Sequence, residues 1–148
     1  MRAVVQRVAQ ASVTGGGETS QIRSGICVLV GISVSDTKAE AQDLIRQLLR
    51  LKIFSGDDPA KERWTKSVRD VRGDVLLVPQ FTLFARLKSG RPSFHLAMPP
   101  SIACDFFHDF VADFKAEYGD GVVASGVFGS RMQVSLVNDG PVTMIVES

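Results

Sequence analysis

The stretch Leu136–Ser148, LVNDGPVTMIVES, poses the question on which the fold turns: does Asn138-Asp139-Gly140-Pro141 end one strand and begin another? These four residue types make tight turns because they tolerate or preset φ values that other residues avoid. Val134 and Leu136 precede the quartet, and Val142, Met144 and Val146 follow it, an alternation that suits the two arms of a β-hairpin. Local sequence therefore reads RMQVSLVN and PVTMIVES as two strands joined by a turn. A Gly-Pro pair can also face a bound molecule, and that second reading rests on the remainder of the chain.

Working outward, RAVVQRVAQASVT alternates as a strand, and the glycines of GGGETS break it into a hairpin loop. Those glycines lack the spacing and the Lys of a phosphate-binding loop. GICVLVGISV is apolar and β-branched, the mark of a buried strand. Thr37 and Glu40 stand at capping-box spacing, and Ala41, Leu44, Ile45, Leu48 and Leu51 follow on one helical face. SGDDPAKERWTKSVRDVRG reads as loop, with Trp64 as its packed anchor. DVLLVPQFTLFA is a strand interrupted by Pro79, which has no N–H for a ladder and so marks an edge, a bulge or a strand end. A second helix is expected in IACDFFHDFVADFKAEYG, with Ala103, Phe106, Phe107, Phe110, Val111 and Phe114 on its apolar face and Gly119 at its stop. GVVASGVFG supplies a further strand. The order β-β-α-β-α-β-β-β predicts a single α+β domain, residues 1–148, with a largely antiparallel sheet and two main helices.

A chain of 148 residues, 45% apolar and 22% charged, can bury a real core. A net charge of +1 argues against coating nucleic acid through many phosphates, although not against gripping the end of an RNA. The densest basic stretch, ARLKSGR with Arg86, Lys88 and Arg91, reads either as a solvated loop or as a local phosphate contact. No apolar run approaches the ~20 residues of a membrane span, and the amino end lacks the apolar core of a signal peptide. Cys27 and Cys104 read as buried free thiols of a reducing compartment, so a cytoplasmic protein is expected. His95 lies in the basic loop, and His108 falls between core positions of the second helix, facing solvent. Neither belongs to a nucleophile elbow, and no zinc-type ligand spacing or dinucleotide fingerprint is present. No metal and no cofactor are expected. An enzyme of this composition would work through backbone groups, a hydroxyl or its substrate.

Three stretches taken together carry a resemblance: VPQFTLFA (78–85), GRPSF (90–94) and VFGSRMQVSLVNDGPVT (127–143). With the opening MRAVVQRVAQASV and the strand GICVLVGI they closely resemble the D-aminoacyl-tRNA deacylases, in register over essentially the whole chain. The resemblance implies a sheet partly rolled into a barrel and a homodimer with its pockets at the interface. It implies hydrolysis of the ester joining a D-amino acid to the 3′-terminal adenosine of tRNA, and of glycyl-tRNA as well. Gly140 and Pro141, joined by a cis peptide bond, would reach into the other subunit's pocket and exclude L side chains. Gln80, Phe81 and Thr82 would line the ester, with backbone N–H groups near Phe81 and Thr82 as an oxyanion hole. Thr82 is a candidate nucleophile; alternatively the 2′-hydroxyl of the adenosine assists. Phe128 and Met132 would cradle the adenine or simply pack in the core, and Arg7 would hold the Gly-Pro loop or form a surface ion pair. Pro79 departs from the family's usual Ser and lines the pocket wall. A sister branch with looser chirality also has Pro before Gln, but that branch changes the following Phe-Thr, which this chain keeps. The alternatives are a chirally relaxed deacylase of that branch and a non-catalytic module that binds the acceptor end of tRNA.

Overall fold

The computed structural model describes residues 1–56, 64–119 and 121–148. Its strands are β1 (Arg2–Gly15), β2 (Glu18–Ile22), β3 (Gly25–Gly31), β4 (Lys52–Phe54), β5 (Lys66–Ser67), β6 (Asp74–Pro79), β7 (Arg86–Lys88), β8 (Arg91–Ser93), β9 (Val123–Ser125) and β10 (Met132–Glu147). The helices are α1 (Lys38–Arg50) and α2 (Pro100–Tyr118), and a 3-10 turn covers Phe81–Phe84. The main sheet runs β10-β1-β3-β6-β9, with β2 paired to the far half of β1. The α+β class and two helices agree with the sequence, but the sheet is mixed. β10, β3 and β2 pair antiparallel with β1, whereas β3–β6 and β6–β9 are parallel. The reason lies in the connections: α1 lies between β3 and β6, and α2 between β6 and β9, and a crossover through a helix returns the chain in the same direction.

The expected turn at Asn138–Pro141 is not a hairpin. β10 is one strand of 16 residues that pairs with β1 from end to end. On β10 the chain advances from Asn138, opposite Val8, to Thr143, opposite Gln6, so Asp139–Val142 bulge out opposite the single residue Arg7. Turn-forming residues here make room for extra chain inside a ladder rather than reversing it. The GGGETS segment differs in a similar way. Only Gly16 and Gly17 turn, at φ 60° and 81°, and Glu18 already begins β2. The basic loop is also more ordered than expected, since Arg86–Lys88 and Arg91–Ser93 form a hairpin with Ser89 and Gly90 at positive φ. Trp64, expected as a packed anchor, is instead 47% exposed, and part of its loop lies outside the described residues.

Period-two alternation sorts the buried strands onto two cores. Ile26, Val28, Val30, Val75 and Leu77 face the helices, packing with Leu44, Leu48, Phe107, Phe110 and Phe114. Cys27, Leu76 and Val78 face the other way, into a second cluster with Val8, Ala11, Val13 and Ile22. That cluster fills the inside of a nearly closed barrel, which forms because β2 comes back against β6 and β9. Burial on both faces explains why GICVLVGI and DVLLVP read as unbroken apolar runs. The Cys27 thiol lies at the centre of this layer, where burial pushes its pKa up to about 11. The capping box on α1 is formed: the Thr37 N–H donates to Glu40 Oε2 at 2.7 Å and the Ala39 N–H to Thr37 Oγ1 at 3.2 Å. Helix α2 stops at Gly119, φ 75°, whose N–H donates to the Lys115 carbonyl at 3.0 Å.

Phe114 is fully buried and stacks between Phe110 and Tyr118, with ring centroids at 6.1 and 6.4 Å. Phe114→Ala is expected to lower stability by about 3–5 kcal/mol, read from the midpoint of urea unfolding at unchanged slope.

Candidate active site

Pro79 closes β6, and its position explains how a proline fits there. Odd-numbered residues of β6 turn their backbone groups toward β9: the Val75 N–H donates to the Val122 carbonyl and the Leu77 carbonyl accepts from Gly126 N–H, both at 2.9 Å. Even-numbered residues turn toward β3, and the Gln80 N–H donates to the Val30 carbonyl at 2.8 Å. The missing N–H of Pro79 therefore points to the β9 side, beyond the last β9 pair at Ser125, and no ladder bond is lost. Of the three sequence options for Pro79, the strand end is the one realised.

Past that end the chain coils into the Phe81–Phe84 turn. As at any helix start, the first N–H groups have no acceptor within the turn. Among the described residues, no carbonyl outside it accepts from Phe81 or Thr82 either. Both residues are exposed, Phe81 by 56%. The Thr82 hydroxyl accepts a hydrogen bond from Gln80 Nε2. Two residues to which the sequence gave no role support this turn. Arg2 donates from Nη1 to the Leu83 carbonyl at 2.8 Å and lies over the Phe84 ring, 5.1 Å from its centre. Phe94, from GRPSF, meets Phe81 edge-on at 4.9 Å, tying the β7–β8 hairpin to the turn. The motif could have drawn attention to Phe94, whereas nothing local marks Arg2. His95 is held by Ser93, Oγ to Nδ1 2.8 Å.

Met132 and Phe128 reach the same end of the barrel from β10 and the segment before it. A Cβ built on Gly126 would lie 2.7 Å from Met132 Sδ and 3.5 Å from Pro79 Cδ, so glycine lets the thioether settle beside the proline. Phe128 packs on Phe107 with centroids 6.0 Å apart. Both side chains are half-buried, one side on the core and the other open.

Gly140 and Pro141, joined by a cis peptide bond, are exposed and lie elsewhere. Arg7 is only 12% exposed; its Nε donates to the Asp139 carbonyl at 3.1 Å and pairs with the Asp139 carboxylate at 2.9 Å. Its Nη1 donates to the Ile53 carbonyl, and its guanidinium lies 5.9 Å from the centre of the Phe54 ring. The arginine thus links the bulge to β4. Gln80 and Leu83, by contrast, sit against Gly31, which pairs with Arg2. At ~3.4 Å per residue, the positions opposite Arg2 and Arg7 are about 17 Å apart along β1. One chain brings together Pro79, Gln80, Phe81, Thr82, Phe128 and Met132. It leaves Arg7, Gly140 and Pro141 at a separate place.

A family model described as D-Tyr-tRNA(Tyr) deacylase matches residues 4–147. The chain belongs to this family. It is 48% identical over 149 residues to D-aminoacyl-tRNA deacylase 1 of Bos taurus, covering all of this chain and 70% of that protein. The D-aminoacyl-tRNA deacylase of Dictyostelium discoideum is 42% identical, with 100% and 98% of the two chains covered. Among solved structures, the c-Myc DNA Unwinding Element Binding Protein superposes with a TM-score of 0.90 at 46% identity, covering 100% of this chain and 99% of that one.

Gly140 has φ 123°, and a Cβ there would lie 2.9 Å from Val142 Cγ2 and 3.2 Å from Arg7 Nη2. Gly140→Ala is therefore expected to cost about 1–3 kcal/mol in urea unfolding, and to speed amide hydrogen exchange through Asp139–Val142.

Proposed function

We propose that this chain hydrolyses the ester bond of D-aminoacyl-tRNA, releasing free tRNA and the D-amino acid, with glycyl-tRNA as a second substrate. The observation that carries the reading is the exposed strand end at Gln80–Thr82, where two backbone N–H groups have no acceptor among the described residues. Donors held there can stabilise the oxyanion that forms as water attacks an ester carbonyl, without reorganising during the reaction. Phe128 and Met132 offer open, half-buried apolar surface nearby for the terminal adenine. The β7–β8 hairpin sets Lys88 directly opposite Arg91, with Arg86 two pairs further on, and none of the three has an ion-pair partner among the described residues. Like charges facing each other across a ladder repel, and an RNA phosphate would relieve that repulsion.

Water is the nucleophile in this reading, and the 2′-hydroxyl of the terminal adenosine assists it. The Thr82 hydroxyl is occupied by Gln80, and no imidazole or ammonium group among the described residues hydrogen-bonds to it. Its role is to orient Gln80 and the start of the turn. The chemistry needs no metal.

The second half of the proposal is that the working pocket takes Gly140 and Pro141 from a second copy of the chain. Those residues lie too far from Gln80 to serve it within one chain. β10 offers the means of association: it is an edge strand, its outer side unpaired among the described residues, with Val134, Val137, Met144 and Ile145 exposed. A long apolar edge of this kind is suited to pairing with another chain. The Arg7-held bulge then presents its backbone to the substrate's α-carbon and leaves no room for an L side chain. The reaction is placed in the cytoplasm, where charged tRNA occurs, and among the described residues no helix is long and apolar enough to cross a membrane.

Purified protein should release D-tyrosine from D-tyrosyl-tRNA at least about a thousandfold faster than L-tyrosine from L-tyrosyl-tRNA, equivalent to ~4 kcal/mol of exclusion. Hydrolysis of both would move the chain to the chirally relaxed branch, the alternative that Pro79 suggests. Binding of tRNA without hydrolysis of either would leave an acceptor-end binding module. Thr82→Ala should lower single-turnover rates less than about tenfold, whereas loss of a true nucleophile would cost a factor of about 10⁴ or more.

A further inference from the structure

Helix α2 carries a second group of chemically capable side chains, none of which hydrogen-bonds to the Gln80–Thr82 turn. Its buried stripe runs through Ala103, Phe107, Phe110, Val111, Phe114 and Tyr118. The side turned to solvent carries Asp105 and His108, both exposed, with the half-buried Cys104 at its margin. His108 follows Cys104 by four residues and Asp105 by three, the two spacings that make side chains neighbours on a helix. Their ligand atoms lie within 4.8 Å of one another, and Cys104 Sγ is 4.0 Å from His108 Nδ1. The search for paired Cys-x₂-Cys or His-x₃-His units passes over this arrangement, because its three ligands are of three different kinds. Cys104 is also less buried than its apolar sequence neighbours suggested.

We infer that Cys104, Asp105 and His108 form a binding site for a zinc-type divalent ion. With metal–sulfur and metal–nitrogen bonds of ~2.3 and ~2.0–2.1 Å, a tetrahedral centre separates its S and N ligands by about 3.6 Å. The observed 4.0 Å closes to that value by small side-chain rotations, and the exposed His108 and Asp105 have the freedom to make them. Thiolate with imidazole selects zinc or cobalt over magnesium or calcium, which take all-oxygen shells. On coordination the thiol passes its proton to solvent, and the three protein ligands leave one position for water or an outside group. The inference does not rest on the deacylation proposed above.

The test uses the purified full-length chain with Co²⁺ alone as the probe, followed by displacement with Zn²⁺. One Co²⁺ per chain is expected, with a sulfur-to-cobalt charge-transfer band that Zn²⁺ abolishes. Cys104→Ser removes the band, and His108→Ala weakens binding by at least about tenfold, since a lost ligand costs no less than a lost supporting contact. A second measurement needs no variant: Zn²⁺ should block modification of the single thiol that reacts in the native protein, Cys27 being enclosed in the barrel. No band, a band that survives Cys104→Ser, one ion shared between two chains, or an unchanged modification rate would each overturn the site.

Discussion

The pairing of β1 with β10 governs the molecule, because the two strands run together for almost their whole length while disagreeing in count at two neighbouring points, by one extra residue of β1 at Ala9 and by several of β10 opposite Arg7. Where β1 spends Arg7 alone, β10 spends Asp139 to Val142, and the surplus chain has to leave the ladder. Backbone groups expelled in this way need partners. Arg7 supplies one, donating to the Asp139 carbonyl while it binds the same residue's carboxylate and the Ile53 carbonyl. Five donors in a rigid fork suit arginine to such a post, and lysine could not fill it. The result is a protruding loop fixed at its root. Beyond the irregularity, the far half of β1 pairs with β2 and adds Ala11, Val13 and Ile22 to the inner core that Cys27, Leu76 and Val78 share.

At the opposite end the controlling fact is how β6 stops. Its residues are buried on both faces until Val78, and the strand then loses β9 as a neighbour while keeping β3 for one more hydrogen bond. Pro79 falls where the absent neighbour would have needed an N–H, so the sequence tolerates it without a bulge. The following residues inherit a backbone that points away from every strand. The 3-10 turn then satisfies its own carbonyls, with Leu83 N–H on Gln80 and Ala85 N–H on Thr82, and leaves its leading donors outward. A proline here removes one donor from the wall of the candidate pocket but leaves the next two in place.

How much of this was legible follows from what each feature depends on. The α1 cap was readable because Thr37 and Glu40 interact within one turn, and the α2 face because Phe107, Phe110 and Phe114 repeat with the helix. The parallel pairings depend on which strands end up adjacent, and no local pattern encodes that. Asn138–Pro141 misled for a definite reason: the residues that reverse a chain also let it bulge, and only the partner residue Arg7 separates the two outcomes. The members of the candidate site came from the family resemblance. Their grouping came from tertiary contacts: Met132 pairs opposite Gly15 yet meets Pro79 beside Gly126, and the register of β1 against β3 and β10 sets Arg7, Gly140 and Pro141 about 17 Å along β1 from the Gln80 turn. Arg2 carried no signal at all, since its acceptor at Leu83 is distant in sequence.

The proposed division of labour between the two ends has an energetic rationale. D and L forms of an aminoacyl ester carry the same groups, so every attractive contact available to one is in principle available to the other. A pocket assembled from hydrogen bonds could separate them only through small differences in geometry, whereas a steric wall discriminates by what it costs the wrong isomer. Such a wall is only as selective as it is stiff, because a loop that yields by an ångström at a cost of ~1.4 kcal/mol allows no more than a tenfold preference. A bulge anchored by a mostly buried arginine on two backbone carbonyls and a carboxylate meets that requirement better than an exposed hairpin turn of the same sequence would. Catalytic donors make a different demand, since they need open backbone next to a cavity that RNA can enter. Rigidity and openness are hard to supply from one loop, and in the proposed arrangement they are divided between the Arg2 end of β1 and the Arg7 bulge in its middle, so that association of two chains would bring them together.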